Sequence, residues 1–77
     1  MPLPSRYAAL GTALRAGRRR AGLTQRLVAE RAGVARASYA AVEQGGRRFG
    51  PVALARVAAV LDLDLAELRR AAGHEPP

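Results

Sequence analysis

The sequence predicts an all-α fold, a compact bundle of five short helices. Apolar residues recur at steps of three and four along most of the chain, which is the spacing of one helix face, and no segment alternates as a strand would. The 77 residues leave room for a single domain. Because the chain has no cysteine, packing must hold the core without disulfides or thiolate-bound metal.

The first predicted helix begins after Ser5, which can serve as its N-cap, and ends at Gly22. Its inner face is formed by Tyr7, Leu10 and Leu14. Gly11 and Gly17 lie inside this helix, and each is less favourable there than alanine by roughly 1 kcal/mol. We therefore expect either that another helix approaches closely at these glycines or that the helix is weak.

The second and third helices are predicted at about residues 25–32 and 36–44. Thr24 is a good N-cap for the second helix, whose inward residues are Val28, Ala29 and Ala32; Leu27 then points outward. Tyr39 and Val42 lie on the buried side of the third helix, which Gly45–Gly46 ends. The N-cap of that helix is Ala35, which has no side-chain acceptor, so we expect its first turn to fray.

The fourth helix is predicted to begin at Pro51, which suits the first helical position. Its apolar stripe consists of Leu54, Val57, Ala58 and Leu61. Asp64 and Glu67 form a pair like a capping box at the start of a fifth helix that Gly73 ends, and Leu65 and Leu68 lie on its inner side. We thus divide the chain into an N-terminal arm at 1–4, one domain at 5–73 and a disordered tail at 74–77.

Small and turn-forming residues at fixed offsets predict a helix-turn-helix at about residues 24–44. Ala29 is small enough to let a second helix cross closely, and Gly33, eight residues after Gln25, can take the positive φ that ends a helix sharply. The remaining members of the pattern are Leu23, Thr24, Val34, Val42, Glu43 and Gly45. This motif favours DNA binding as the function.

The charge of the chain indicates the same class of partner. Thirteen basic residues against six acidic ones give a net charge of +7, and all thirteen are arginine. Such a surplus projects a positive field that attracts polyanions, and guanidinium groups match phosphate oxygens and guanine edges. The arginine bias alone can also reflect a GC-rich genome, so the net charge is the stronger argument.

The composition disfavours an enzyme and predicts no metal or cofactor. A single histidine, no cysteine and six carboxylates provide no nucleophile–base pair and no cluster of metal ligands. The first residues lack the features of a secretory signal, and no apolar run is long enough to span a bilayer. The sequence therefore predicts a soluble cytoplasmic protein that associates with the nucleoid.

Residues 10 to 68 resemble the phage-repressor and xenobiotic-response-element (XRE) family of DNA-binding domains. The matching positions are Leu14, Arg18, Gly22, Leu23, Thr24, Gln25, Ala29, Gly33, Val34, Val42, Glu43, Gly45, Leu54, Leu61 and Leu68. The resemblance implies a five-helix bundle whose third helix enters the major groove, usually as a dimer on a two-fold site. The chain departs from the family pattern at Gly17, Leu27, Ala35 and Tyr39.

This resemblance and the helix positions together predict the site residues. The side chains expected at base edges are Arg36, Ala37, Ser38, Ala40 and Ala41. The residues expected at phosphates are Thr24, Gln25, Arg47 and Arg48. Arg36 is expected to pair with guanine, the alternative being a phosphate contact or a solvated charge, and the alanines can touch only a thymine methyl. The resemblance also implies a partly buried ion pair between Arg18 and Glu43.

The function predicted from these observations is a sequence-specific transcriptional regulator, a repressor that binds double-stranded DNA as a homodimer. One alternative is an antitoxin or protein-interaction module in which Leu27, Tyr39 and Phe49 contact a protein partner. Phe49 itself is expected either at a dimer contact or as a plug in the core. A further alternative is the DNA-binding domain of a longer regulator, because the proline-rich end resembles the start of a linker.

Overall fold

The computed structural model describes residues 6–73, which form five α-helices and no strand. The helices are α1 (Ala8–Ala21), α2 (Gln25–Ala32), α3 (Arg36–Glu43), α4 (Pro51–Leu61) and α5 (Leu65–Ala71). The all-α class and the number of helices are as predicted. The expected arm at 1–4, the cap residue Ser5 and the expected tail at 74–77 lie outside the described residues.

The start of α1 differs from the prediction. The helix begins at Ala8, with Tyr7 at the N-cap position and no side-chain capping bond, so the predicted N-cap at Ser5 is wrong. The other helix starts are as expected. The Thr24 hydroxyl accepts a hydrogen bond from the Leu27 N–H at 3.1 Å, and Ala35 stands at the N-cap of α3 without a side-chain bond.

The last two helices begin where their sequence signals lie. Pro51 is at the start of α4, where no N–H is needed. The Asp64 carboxylate accepts from the N–H groups of Ala66, at 2.8 Å, and Glu67, at 3.4 Å. These bonds satisfy two of the free donors in the first turn of α5.

A left-handed residue ends α1, α2 and α4 in the same way. Gly22 and Gly33 have φ values of 71° and 70°, and Asp62 takes the equivalent position after α4 with φ 53°. In each case the next residue donates its N–H back into the last turn, as Leu63 does to the carbonyl of Ala58 at 2.9 Å. Asp62 was not predicted, because aspartate takes this conformation much less readily than glycine.

One apolar core joins the five helices. α1 packs against α3, α2 packs against α3 and α4, and α5 packs against α4 and α1. The buried apolar side chains are Leu10, Leu14, Val28, Ala29, Ala32, Tyr39, Val42, Phe49, Leu54, Val57, Ala58, Leu61, Leu68 and Ala72. Phe49 stacks on Tyr39 with ring centroids 6.2 Å apart. Phe49 is therefore the core plug, not an exposed dimer contact.

The two glycines within α1 mark close approaches. A Cβ added at Gly11 would lie 2.8 Å from the carbonyl oxygen of Val42 and 2.9 Å from the carbonyl carbon of Glu43. At Gly17 a Cβ would lie 2.9 Å from a methyl group of Leu63. Of the two expectations for these glycines, close packing is the one that the structure supports.

Candidate nucleic-acid interface

The starts of α2 and α3 line one open concave surface. The residues around it are Arg18, Gly22, Leu23, Thr24, Gln25, Arg26 and Arg36. Three of the seven are arginines, and the surface includes the N-terminus of α2, which is the positive end of that helix dipole. The positive charge of this surface favours an anionic ligand, and the surface is open to solvent. We call it the α2–α3 surface.

The structure separates the residues expected at base edges. Arg36 and Ala37 are exposed at the start of α3, whereas Ser38, Ala40 and Ala41 are half-buried. Only Arg36 among these five residues lines the α2–α3 surface. It is therefore the long polar side chain of α3 best placed to reach a ligand seated there.

Two of the residues expected at phosphates, Thr24 and Gln25, lie on the same surface. The Thr24 hydroxyl is already the N-cap acceptor of α2. The Gln25 amide donates from Nε2 to Oε1 of Glu43 at 3.2 Å. Both side chains thus have a structural partner. Any contact with a ligand must use the hydrogen-bonding groups of Thr24 and Gln25 that these two bonds leave free.

Arg18 and Glu43 are brought together as a bidentate ion pair between α1 and α3. Arg18 donates from Nε to Oε2 of Glu43 at 2.6 Å and from Nη2 to Oε1 at 3.0 Å. The third nitrogen, Nη1, donates to the carbonyl of Leu23 at 3.1 Å, which links the pair to the turn before α2. The Glu43 side chain is fully buried and that of Arg18 is 16% exposed. The pair therefore holds α1 against α3 and against the turn before α2.

The Glu43 carboxyl remains ionised despite its burial. Burial alone would raise its pKa, but the contacts with Arg18, the neighbouring Tyr39 hydroxyl and Gln25 outweigh that effect and hold the pKa below its usual value. Arg15 brings a fourth nitrogen close to this carboxylate: its Nε lies 3.6 Å from Oε1 of Glu43, and the Arg15 side chain is 44% exposed. Glu43 is thus the shared acceptor of a small polar network.

The Tyr39 hydroxyl lies beside this network in the core. It is buried, and no hydrogen bond of normal geometry joins it to another residue within 6–73. Burial raises the pKa of the phenol well above its usual value, so the group stays neutral. Because Tyr39 is buried and stacked on Phe49, neither aromatic side chain is available to a protein partner in this conformation.

Arg47 and Arg48, which follow α3, have different surroundings. Arg47 is exposed. Arg48 donates from Nη1 to the carbonyl of Ala72 at 2.8 Å and to that of Gly73 at 3.4 Å, and its guanidinium lies 5.9 Å from the ring centroid of Tyr7. Arg48 thus ties the loop after α3 to the end of α5, and its predicted phosphate contact would compete with these bonds.

Three features of the site were missed by reasoning from the sequence. Arg26 lines the α2–α3 surface and pairs with Glu30 across one turn at 3.2 Å. Its position directly after Gln25 in the first turn of α2 was a usable signal. The other two, Arg15 near Glu43 and the Gln25–Glu43 bond, join residues 28 and 18 positions apart, and helix periodicity carries no signal for such pairs.

The described residues contain neither a cluster of metal ligands nor a helix that could span a membrane. Within 6–73, no group of three or more histidine, cysteine, aspartate or glutamate side chains could hold a metal ion. None of the helices in that range is both long and apolar enough to cross a membrane.

Comparison with known proteins gives a consistent result. Residues 9–72 match a family model described as a helix-turn-helix domain. The restriction-modification controller protein C.AhdI from Aeromonas hydrophila is 32% identical, with a TM-score of 0.75 over 80% of this chain and 94% of that one. The clp gene regulator ClgR from Corynebacterium glutamicum is also 32% identical, with a TM-score of 0.77 over 95% of this chain and 78% of that one. No curated protein sequence matches the chain significantly.

Proposed function

The chain belongs to the helix-turn-helix domain family, and from that membership we propose that it is a transcriptional regulator that binds specific sites in double-stranded DNA. In this proposal α3 enters the major groove and the start of α2 lies against the backbone. Similarity to a controller protein and to a gene regulator supports a regulatory role. Repression by occupying a promoter is the simplest mode of action, and it requires neither catalysis nor a cofactor.

The observation that carries the proposal is the α2–α3 surface. It places Arg36 of α3 beside the first turn of α2, with Arg26 on the same side. A guanidinium at the start of a recognition helix can pair with O6 and N7 of guanine, while helix N-termini and neighbouring arginines bind phosphates. The net charge of +7 would draw the domain to a duplex over a longer range.

We further propose that the protein acts as a homodimer on a two-fold site. Three of the five residues of α3 that are not buried are alanine, so each copy offers few base contacts and two copies are needed for useful specificity. Half-sites about one helical turn apart, roughly 34 Å, would let both copies of α3 enter successive major grooves on one face of the DNA. Deformation of the spacer would add further discrimination.

Selection of bound duplexes from a random pool, followed by footprinting and measurement of stoichiometry, tests this proposal. We expect a site with a dyad, a symmetric footprint and two chains per duplex. Tight binding of one chain to a site without a dyad would contradict the dimer. Failure to enrich any sequence would contradict sequence-specific binding.

Substitution of Arg36 tests the assignment of α3. We expect Arg36→Ala to weaken binding to the selected site by about 1–3 kcal/mol and to relax the preference for one guanine, because a bidentate base contact is lost while the phosphate contacts remain. Titration of the selected duplex and of a random duplex of equal length measures both effects. An equal loss on the two duplexes would assign Arg36 to the backbone.

Two other arginines serve as matched controls for the loss of charge. Arg47→Ala should weaken binding to both duplexes alike and lower the slope of log affinity against log salt by about one phosphate equivalent. Arg69→Ala removes the same charge from an exposed position on α5, away from the α2–α3 surface, and should change little.

The alternative of a protein-interaction module loses two of the three residues on which it depended. Tyr39 and Phe49 are buried, and Leu27 is half-buried on α2. Binding to DNA through several phosphates should weaken steeply with salt, whereas an apolar contact with a protein should change little. As a DNA-bound regulator the protein would act in the cytoplasm, on the nucleoid.

A further inference from the structure

The Glu43 carboxylate joins α1, α2 and α3 at one point behind the α2–α3 surface. Its Oε1 accepts from Nη2 of Arg18 at 3.0 Å and from Nε2 of Gln25 at 3.2 Å. The Glu43 side chain is fully buried, so it is out of reach of a duplex. Gln25 is half-buried and lines the surface itself. Its amide therefore stands between the buried carboxylate and the position proposed for the DNA backbone.

The chemistry of the two groups allows only one orientation of the amide. A glutamine amide has a donor end, Nε2, and an acceptor end, Oε1, whereas an ionised carboxylate only accepts. A flipped Gln25 would set its Oε1 against an oxygen of Glu43, with no proton between them. Nε2 is therefore held at the carboxylate through one of its N–H groups, and its second N–H remains as a donor. Phosphate oxygens accept hydrogen bonds.

We infer that Glu43 is a positioning residue for DNA binding, which holds the Gln25 amide so that its second N–H donates to a phosphate of the bound duplex. This role is separate from the ion pair with Arg18, and it rests on the proposed function. It also explains how Gln25 can be both a structural hydrogen-bond partner and a DNA contact, because each of the two roles uses a different hydrogen of Nε2.

The NMR signals of the amide are simple to assign, because Gln25 and Gln44 carry the only side-chain amides of the chain. In a ¹⁵N-labelled sample, we expect one Gln25 amide proton to be shifted by its bond to Glu43 before any DNA is added. On addition of the duplex selected from a random pool by the wild-type chain, the other Gln25 proton should shift. Gln44 is exposed and serves as the internal reference.

Two substitutions complete the test. In Glu43→Gln, residue 43 can face Gln25 as donor or acceptor, so the amide is no longer held in one orientation. We expect the shifted signal to disappear and affinity to fall about threefold to tenfold, the equivalent of one hydrogen bond. Gln25→Ala should weaken binding by a similar factor without touching the ion pair, and the double variant should be no weaker than either single one. Glu67→Gln removes an equal charge from α5 and should bind like the wild type.

The outcomes separate this inference from the proposed function. If the wild-type chain binds no duplex, the proposed function fails. If it binds with no response of the Gln25 signals, or if DNA breaks the Gln25–Glu43 bond, the inference alone is wrong. Independent losses in the two single variants that add in the double variant would also overturn it. Should Glu43→Gln not fold, the wild-type spectra and Gln25→Ala still decide between these outcomes.

Discussion

Arg18→Ala is expected to destabilise the domain by about 3–5 kcal/mol, because it leaves the fully buried carboxylate of Glu43 without its main partner. A domain of this length is stable by roughly 4–12 kcal/mol, so a large share of the chains would unfold at moderate temperature. Denaturant melts followed by circular dichroism measure the loss. In a DNA-binding assay the same variant would show a lower affinity, as if Arg18 contacted the DNA, although the cause is unfolding.

Two controls distinguish the effect of leaving a buried charge unpaired from the effect of removing any arginine side chain. Arg15 approaches the same carboxylate from an exposed position, at 3.6 Å, and Arg15→Ala should cost less than about 1 kcal/mol. Replacing both members of the pair, as in Arg18→Met with Glu43→Leu, removes the buried charge and should recover much of the stability. A double variant as unstable as Arg18→Ala would show that the pair contributes through packing and not through charge.

Gly11→Ala is expected to destabilise the domain by about 2 kcal/mol, the balance of a gain in helix propensity and an overpacking cost at the upper end of its usual range. Alanine raises the helix propensity of α1 by roughly 1 kcal/mol. However, its Cβ would lie 2.8 Å from the carbonyl oxygen of Val42, and overpacking against rigid backbone costs about 1–3 kcal/mol or more. Relief requires α1 and α3 to move apart, which would also stretch the ion pair between them. The midpoint of a urea melt measures the change.

Gly17→Ala is the matched control in the same helix. Its Cβ would meet the methyl groups of Leu63 at 2.9 and 3.1 Å, and a leucine side chain can rotate away where a carbonyl cannot. The gain in propensity should then offset most of the strain, so stability should change little. Equal destabilisation by Gly11→Ala and Gly17→Ala would show that backbone contact at Gly11 has no special cost.

The sequence predicted the elements of the fold because its signals are local. Caps such as Thr24, Pro51 and Asp64 and stop residues such as Gly22 and Gly33 act within a few residues of their own position, and the core stripes repeat at helical spacing. The start of α1 was misplaced for a related reason. Ser5 has the right chemistry for a cap, but α1 begins only at Ala8.

Contacts between distant residues were harder to predict. The resemblance to a family supplied the Arg18–Glu43 pair, but the bond from Gln25 to Glu43 and the bonds from Arg48 to the end of α5 depend on how separate helices meet. Whether Phe49 was a surface or a core residue depended on the space beside Tyr39. Such questions are settled by packing in three dimensions, for which a single sequence contains no direct signal.

The bonds of Arg48 have a consequence for how the domain opens. Because Arg48 holds the carbonyls of Ala72 and Gly73 and lies over Tyr7 at the start of α1, it fastens the loop after α3 to elements near both ends of the described chain. Fraying of α5 would remove the acceptors of Arg48 and loosen that loop as well. The start of α1 and the end of α5 are therefore coupled through Arg48, so that local opening at one end also weakens the contacts that hold the other.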